Sequence, residues 1–494
     1  MTRPNILIFM TDQQQAQVMA PNHPCRTPNA VRFASEGIVF RHTFTTMTHC
    51  CPSRASFMTG LYPSRHGIHN NVSNAAALGR GLRPGVGTFS EKLKAAGYDL
   101  FFSGKWHVSA EENPAGRGWE ELMVVAGKDA QMGLTIPQWR ALPREEPRTE
   151  RRRGELVRPG WGPYRLYGVS QTDGEHTRDA KVVERAVEKL RELNGSDKPW
   201  CLYVGVTGPH DPFVIPERYA KLYDPDEIPL PPNYDDSLID KPGVYRRMRR
   251  VWDQLTPEEV REATAHYWGY CTMVDDLFGQ VLAALEASGQ ADDTLVVFLS
   301  DHGESGGAHG LYLKGISSFE ETYRLPCIAR WPNGISEPGR VVDELVSIMD
   351  WAPTFVDLAE AETLNECNGT SLAGWLRNER PLHWRDAVYS QCNGVEVYYT
   401  QRMVRTERYK FVYHPTDVDE LYDLSVDPFE LNNVAAVADY ASVKKELYLK
   451  MWQEAALADD IIFNKYATVA TADWGPALAI GIEAGPTRSA TYDD

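Results

Sequence analysis

The chain has 494 residues, of which 43% are hydrophobic and 24% charged, and its 68 acidic side chains outnumber 51 Lys and Arg for a formal charge of -17. That length accommodates a large α/β enzyme with an appended subdomain. Such acidity argues against a nucleic-acid backbone or an anionic membrane surface as the main partner, because both select a basic face.

Near the N-terminus the apolar run Ile6 to Met10 is followed at once by Thr11 and Asp12. A secretory signal needs about 7 to 15 apolar residues, and a membrane span about 18. Neither is found, which points to the cytoplasm. The eight cysteines, at 25, 50, 51, 201, 271, 327, 367 and 392, form no CxxC pair and read mainly as buried free thiols in a reducing compartment.

Asn5 to Met10 reads as a strand buried on both faces. A helix over Asn29 to Glu36, a strand at Ile38 to Phe40, and a helix over Thr88 to Ala96 ended by Gly97 follow. Next come a strand at Tyr98 to Phe102 and a helix over Arg178 to Leu193, whose apolar residues recur at helical spacing. A strand at Trp200 to Val206, a helix near Glu262 to Ser288, and strands at Thr294 to Leu299 and Cys327 to Arg330 complete an α/β rhythm with helices on both faces of a sheet. Arg144 to Arg153 is a mixed-charge run that reads as a solvated loop or, less simply, as part of an anion-binding wall. Pro225 to Pro242 reads as an irregular excursion. Beyond residue 385 short strands (Glu396 to Arg402, Tyr409 to His414) and a helix from Ser442 to Ala455 suggest a smaller α+β unit, so the division expected is 1–384 and 385–494. The stretch from Ala467 to Asp494 is either a mobile end or an arm that could join a homo-oligomer.

Polar residues at strand ends are where such sheets build sites. Asp12 follows the first strand, and Ser300-Asp301-His302-Gly303-Glu304 follows Thr294 to Leu299, so hard ligands from two strand ends could share a cation. Gly104-Lys105-Trp106-His107 and Pro209-His210-Asp211-Pro212 follow two further strands. The most informative stretch is Cys50-Cys51-Pro52-Ser53-Arg54-Ala55-Ser56-Phe57-Met58-Thr59-Gly60. A Cys at a helix N-terminus beside an Arg has a lowered pKa and is reactive; a buried structural pair of thiols is the plainer account.

That stretch resembles the signature of the sulfatase family, C-x-P-S-R followed by T-G. The resemblance implies an alkaline-phosphatase-like α/β fold, with a large mixed, mostly parallel sheet flanked by helices and a small C-terminal α+β subdomain carrying an antiparallel sheet. It implies that Cys50 is oxidised to formylglycine (3-oxoalanine) by a formylglycine-generating or anaerobic sulfatase-maturating enzyme. A hydrated aldehyde offers two hydroxyls on one carbon, one to attack sulfur and one whose deprotonation expels the sulfate. The family pattern gives Asp12, Asp301 and His302 to one divalent cation together with position 50. Gln13 stands where many members have a second Asp and could still offer a carbonyl oxygen to the ion; calcium is the usual ion, but with one anionic ligand fewer and His302 in the fourth place, manganese or magnesium stays open. Further roles implied are Lys105 and Lys314 as sulfate grips, His107 as a base, His210 at the bridging oxygen, and Arg54 beside the aldehyde and metal. Asn71 and Arg324 are weaker candidates for the substrate pocket, as are the aromatics from Trp161 to Tyr167.

A sulfated small molecule is therefore the substrate expected, as a sugar, aryl or other organic sulfate. A phosphonate or phosphate ester hydrolase on the same scaffold and a non-catalytic binding protein are the alternatives.

Overall fold

The computed structural model describes residues 3–73, 77–125, 150–158, 162–394, 398–460, 462 and 471–480. In chain order the strands are β1 (Asn5–Thr11), β2 (Ile38–Phe44), β3 (Asp99–Lys105), β4 (Glu120–Val125), β5 (Glu155–Leu156), β6 (Tyr164–Arg165), β7 (Tyr167–Ser170), β8 (Trp200–Gly205) and β9 (Phe213–Pro216). They continue with β10 (Thr294–Ser300), β11 (Arg324–Leu325), β12 (Cys327–Arg330), β13 (Arg340–Ser347), β14 (Ala387–Cys392), β15 (Gln401–Thr406), β16 (Tyr409–Tyr413) and β17 (Glu420–Asp423).

Nine of them form one sheet in the order β11-β2-β12-β10-β1-β8-β3-β4, with β13 also paired to β2. Strands β10, β1, β8, β3 and β4 run parallel, and the direction reverses at β12. All residues of β8 and β10 are buried, as expected for strands covered on both faces. One face packs against the helices Arg178–Glu192 and Pro257–Ala287 through Val182, Val183, Leu190, Val274, Phe278 and Val281. The other is covered by Cys50–Thr59, Phe89–Ala95 and Trp351–Leu358, with Phe57, Phe89 and Phe355 in mutual ring contact. This is the expected alkaline-phosphatase-like α/β architecture.

A second sheet, β14-β15-β16-β17, is antiparallel and is backed by the helix Ala441–Leu457. Its β15 starts at Gln401, later than the sequence pattern puts it, because pairing with both β14 and β16 sets its register. Residues 395–397, where the pattern begins that strand, lie outside the described residues, as do 144–149, Trp161, 463–470 and 481–494. Strand β2 runs on past Phe40 to Phe44, through Arg41 and His42, because β13 pairs with it along that length. Among the described residues no helix is long and apolar enough to cross a membrane.

Two glycines allow the site to form. Gly104 (φ 116°) lies opposite Gly205, where a Cβ would stand 1.9 Å from the Gly205 carbonyl oxygen, so only glycine lets β3 and β8 close up beside Lys105. Gly60 (φ 73°) ends the helix Cys50–Thr59, its N–H donating to the Ser56 carbonyl at 2.9 Å.

Candidate active site

The four neighbouring parallel strands β10, β1, β8 and β3 end at one edge of the sheet. Each delivers its polar residues there: Asp301 and His302 after β10, Asp12 and Gln13 after β1, His210 and Asp211 beyond β8, and Lys105 and His107 at the end of β3. The helix Cys50–Thr59 points its N-terminus at the same edge, and all ten of its residues are buried. Parallel alignment is the cause: side chains far apart in sequence meet because their strands stop at one level.

Cys50 Sγ lies 3.2 Å from His302 Nε2 and 3.6 Å from Asp12 Oδ1. Donor atoms of Asp12, Cys50, Asp301 and His302 all lie within 4.8 Å of one another, and every one of these residues is buried. Arg54 fixes both carboxylates, its Nε donating to Asp301 Oδ2 at 2.7 Å and its Nη2 approaching Asp12 Oδ2 at 3.5 Å. The guanidinium is held in turn: its Nη1 donates to the Lys105 carbonyl at 3.0 Å and to the Tyr203 hydroxyl at 2.9 Å. Lys105 Nζ donates to Asp12. Lys314 Nζ donates to Gln13 Oε1 at 2.8 Å and meets His210 Nε2. His107, at φ 50°, stands close enough to Cys50 to act on its thiol.

The charges shape one another. Burial opposes ionisation of Asp12, yet Lys105, His210 and Arg54 hold its carboxyl well below the usual carboxylate range. Burial likewise raises the Cys50 thiol pKa, but Lys105, Lys314, His302 and His107 outweigh it and favour a thiolate. The two lysines stay charged despite burial, Lys105 because of Asp12 and Cys50, and Lys314 because of Cys50, Asp211 and Asp12. His210 is shifted upward: burial and Lys314 disfavour its cation, and Asp211 and Asp12 favour it more.

The structure thus brings Asp12, Cys50, Arg54, Lys105, His107, His210, Asp301, His302 and Lys314 together. Gln13 is adjacent, at the left-handed φ of 67°, but its side chain turns away from the carboxylate cluster: Oε1 is taken by Lys314, and Nε2 donates to Glu304 Oε2 at 2.5 Å and Asp211 Oδ1 at 3.1 Å. Asn71 Oδ1 accepts from the Cys51 N–H at 3.4 Å, at the first turn of the nucleophile helix. Arg324 is not brought to the cluster. Its strand pairs with the end of β2, and its charge acts on Glu320 and His42 instead.

Three residues to which the sequence assigns no role, Tyr203, Glu304 and Asp211, matter here, as does Tyr164 from the aromatics read as pocket candidates. Tyr203 supports Arg54, while Glu304 and Asp211 accept from Gln13; Tyr164 donates to Asp211 Oδ2 at 2.5 Å. Asp211 and Glu304 each stand within two residues of a motif histidine, and that adjacency is the signal the sequence offers for them. Tyr203 carries none, and the pattern marks Tyr164 only as a pocket aromatic, since only strand order and loop packing bring these two in. Of the mixed-charge run, Arg151 and Arg153 pair with Glu259 and Glu262 on the long helix Pro257–Ala287.

A family model described as Sulfatase matches residues 4–361. The chain belongs to the sulfatase family. A second model, for the C-terminal part of N-sulphoglucosamine sulphohydrolase, matches residues 307–456. Among curated sulfatase relatives, the choline-sulfatase of Rhizobium meliloti is 30% identical over 88% of this chain and 82% of its own length. The multifunctional alkaline phosphatase superfamily protein PehA of Trinickia caryophylli is 28% identical, covering 90% of this chain and 94% of that one. The solved phosphonate monoester hydrolase of Agrobacterium radiobacter superposes with a TM-score of 0.76 at 26% identity, over 92% of this chain and 96% of the other.

Sulfatases as a family use a metal ion and formylglycine. The residues present fit both. Two buried carboxylates and an imidazole converge within coordination range, and His302 Nδ1 lies 2.9 Å from the Gly303 carbonyl, which leaves Nε2 facing Cys50 as a ligand. Cys50 stands at the helix N-terminus beside them.

Proposed function

We propose that the chain hydrolyses the sulfate monoester of a sugar, a phenol or another small alcohol, releasing the alcohol and inorganic sulfate. The observation that carries this reading is the convergence of Cys50, Lys105, Lys314 and His210 on the Asp12–Asp301–His302 cluster. Converted to formylglycine and hydrated, position 50 supplies a nucleophile with its own release route; a divalent cation, calcium first among the candidates, supplies a Lewis acid beside it. The chain's own residues do the rest.

Lys105 and Lys314 neutralise the sulfuryl oxygens as charge shifts during transfer. Arg54, fully buried, pairs with both Asp12 and Asp301 and holds them in place for the cation. His210, with Nε2 against Lys314 Nζ, holds a proton where the alcohol oxygen departs. His107, beside Cys50, is placed to take a proton from a hydroxyl at position 50. So complete a set of groups speaks against a non-catalytic binding protein. The partner this reading requires is a formylglycine-generating or anaerobic maturating enzyme, and eight free cysteines fit a reducing, cytoplasmic setting.

The test joins mass and rate. Protein made with a maturating enzyme should lose the thiol mass at position 50, release sulfate from a sulfate ester, lose that activity to a chelator and regain it with a divalent cation. An unmodified Cys50 in fully active protein would sink the mechanism.

One observation favours a second reading, a phosphonate monoester hydrolase: the likeness to the enzyme of Agrobacterium radiobacter extends over 92% of the chain. Parallel rates on a nitrophenyl sulfate and a phosphonate monoester with the same leaving group decide between them. The sulfatase reading requires the sulfate to be the better substrate.

A further inference from the structure

His210 is held from behind. Its Nδ1 lies 2.7 Å from the Asp211 carbonyl oxygen and 3.2 Å from Asp211 Oδ1, which makes Nδ1 the protonated donor and turns Nε2 toward Lys314. The Asp211 carboxylate is itself anchored on both oxygens, by the Tyr164 hydroxyl at 2.5 Å and the Gln13 amide at 3.1 Å. Tyr164 belongs to β6 and packs edge-on against Trp252 at 6.5 Å. A ring braced in this way can keep one nitrogen aimed at one point.

What such bracing is for follows from leaving-group chemistry. When the S–O bond to the alcohol breaks, its electron pair goes to the alcohol oxygen while the sulfuryl group passes to the nucleophile at position 50. A phenol, which ionises near about 10 as tyrosine does, can leave as the anion. An alkanol binds its proton about as tightly as water does, and leaves well only if a proton arrives as the bond breaks. In this site Nε2 of the His210 imidazolium gives that proton, and the ring is left neutral with its Nδ1–H still on Asp211.

We propose that Asp211 and Tyr164 are positioning residues that hold His210 on the leaving oxygen, and that the site is thereby built for sulfate esters of unactivated alcohols rather than of phenols. The inference rests on the sulfatase reading and adds its substrate class.

The matured, metal-loaded wild type, Asp211→Asn and Tyr164→Phe are compared on aryl sulfates of rising phenol pKa and on a monosaccharide O-sulfate. Asp211→Asn is expected to lose about 10²-fold in kcat/KM on the sugar sulfate and only a few-fold on 4-nitrophenyl sulfate, with most of the loss in kcat. Tyr164→Phe should show the same trend more weakly. In a Cys50→Ala background, which cannot turn over, Asp211→Asn should leave the calorimetric Kd for the sugar sulfate unchanged. Equal losses in both variants across all leaving groups, or a Kd that weakens as much as the rate falls, would overturn the positioning role. A wild type that turns over aryl sulfates but neither sugar nor alkyl sulfates would overturn the substrate class and leave the sulfatase reading standing; a matured wild type inert toward every sulfate ester overturns both.

Discussion

At the C-terminal edge of β1, β3, β8 and β10, Arg54 and Lys105 share the carboxylate of Asp12, and Lys314 leans on an amide and an imidazole. Where the small sheet meets the end of the helix Ala441–Leu457, by contrast, Arg402 and Asp460 are matched one to one. The Arg402 Nε and Nη2 atoms donate to the two Asp460 oxygens at 2.6 and 2.7 Å, and its remaining donors reach the Cys392 and Gln401 carbonyls and Asn393. Asp460 also accepts from Tyr389 and Gln391. Both clusters are buried and ionic, yet they do different things. A pair whose hydrogen bonds close on themselves stabilises a junction, whereas cations gathered around a thiol and shared carboxylates form a site that an anion and a metal complete.

Mutation should separate the two. Cys50→Ala is expected to lower turnover of sulfate esters by about 10⁴-fold or more while leaving the melting temperature close to wild type, because the side chain contributes chemistry and little packing. Sulfate release and a thermal melt on the same preparation check this, and wild-type activity would refute it. Asp460→Ala should do the reverse. It leaves the Arg402 cation buried and unpaired, at a cost of about 3–5 kcal/mol of stability by chemical denaturation, while the folded fraction keeps its specific activity. A Lys314→Ala variant falls between them, losing about 10²-fold in kcat/KM with at most a small change in melting temperature. Should it unfold instead, Lys314 would belong with Arg402 as a structural cation.

The smallest effect concerns pH. Burial, with help from Arg83 and Arg402, pulls the His69 pKa down to about 4, and burial holds His66 well below its ordinary value. Unfolded, each titrates near about 6.5. As pH falls from about 6.5 toward about 4, the unfolded chain takes up protons that the folded chain refuses, so stability declines. Melting curves at pH 7 and pH 5 should show this drop, and His69→Gln should show a smaller one. An equal drop in both proteins would remove His69 from the account.

Much of the site is legible in the sequence because its residues sit in short motifs directly after apolar runs: Asp12 after Ile6 to Met10, Asp301 and His302 after Thr294 to Leu299, Lys105 and His107 after Tyr98 to Phe102. Such placement needs no knowledge of strand order. Arg324 shows the limit. It lies close in sequence to Lys314, yet its strand pairs antiparallel with β2, and its charge falls among Glu320 and His42. Gln13 shows the same limit at finer scale, since sequence position puts it beside the metal ligands while a left-handed backbone and three polar partners turn its amide toward Lys314, Glu304 and Asp211.

By itself, then, the sequence determined the α/β class, the sulfatase family and the set of reacting groups, because periodicity and short motifs are local properties. Only the tertiary structure decided how those groups are held: Tyr203 on Arg54, Asp211 and Tyr164 behind His210, β13 alongside β2. Apart from the adjacent His210 and Asp211, those contacts join residues from 47 to about 300 positions apart, and no local pattern encodes them; they follow from which strands lie side by side and where each one stops.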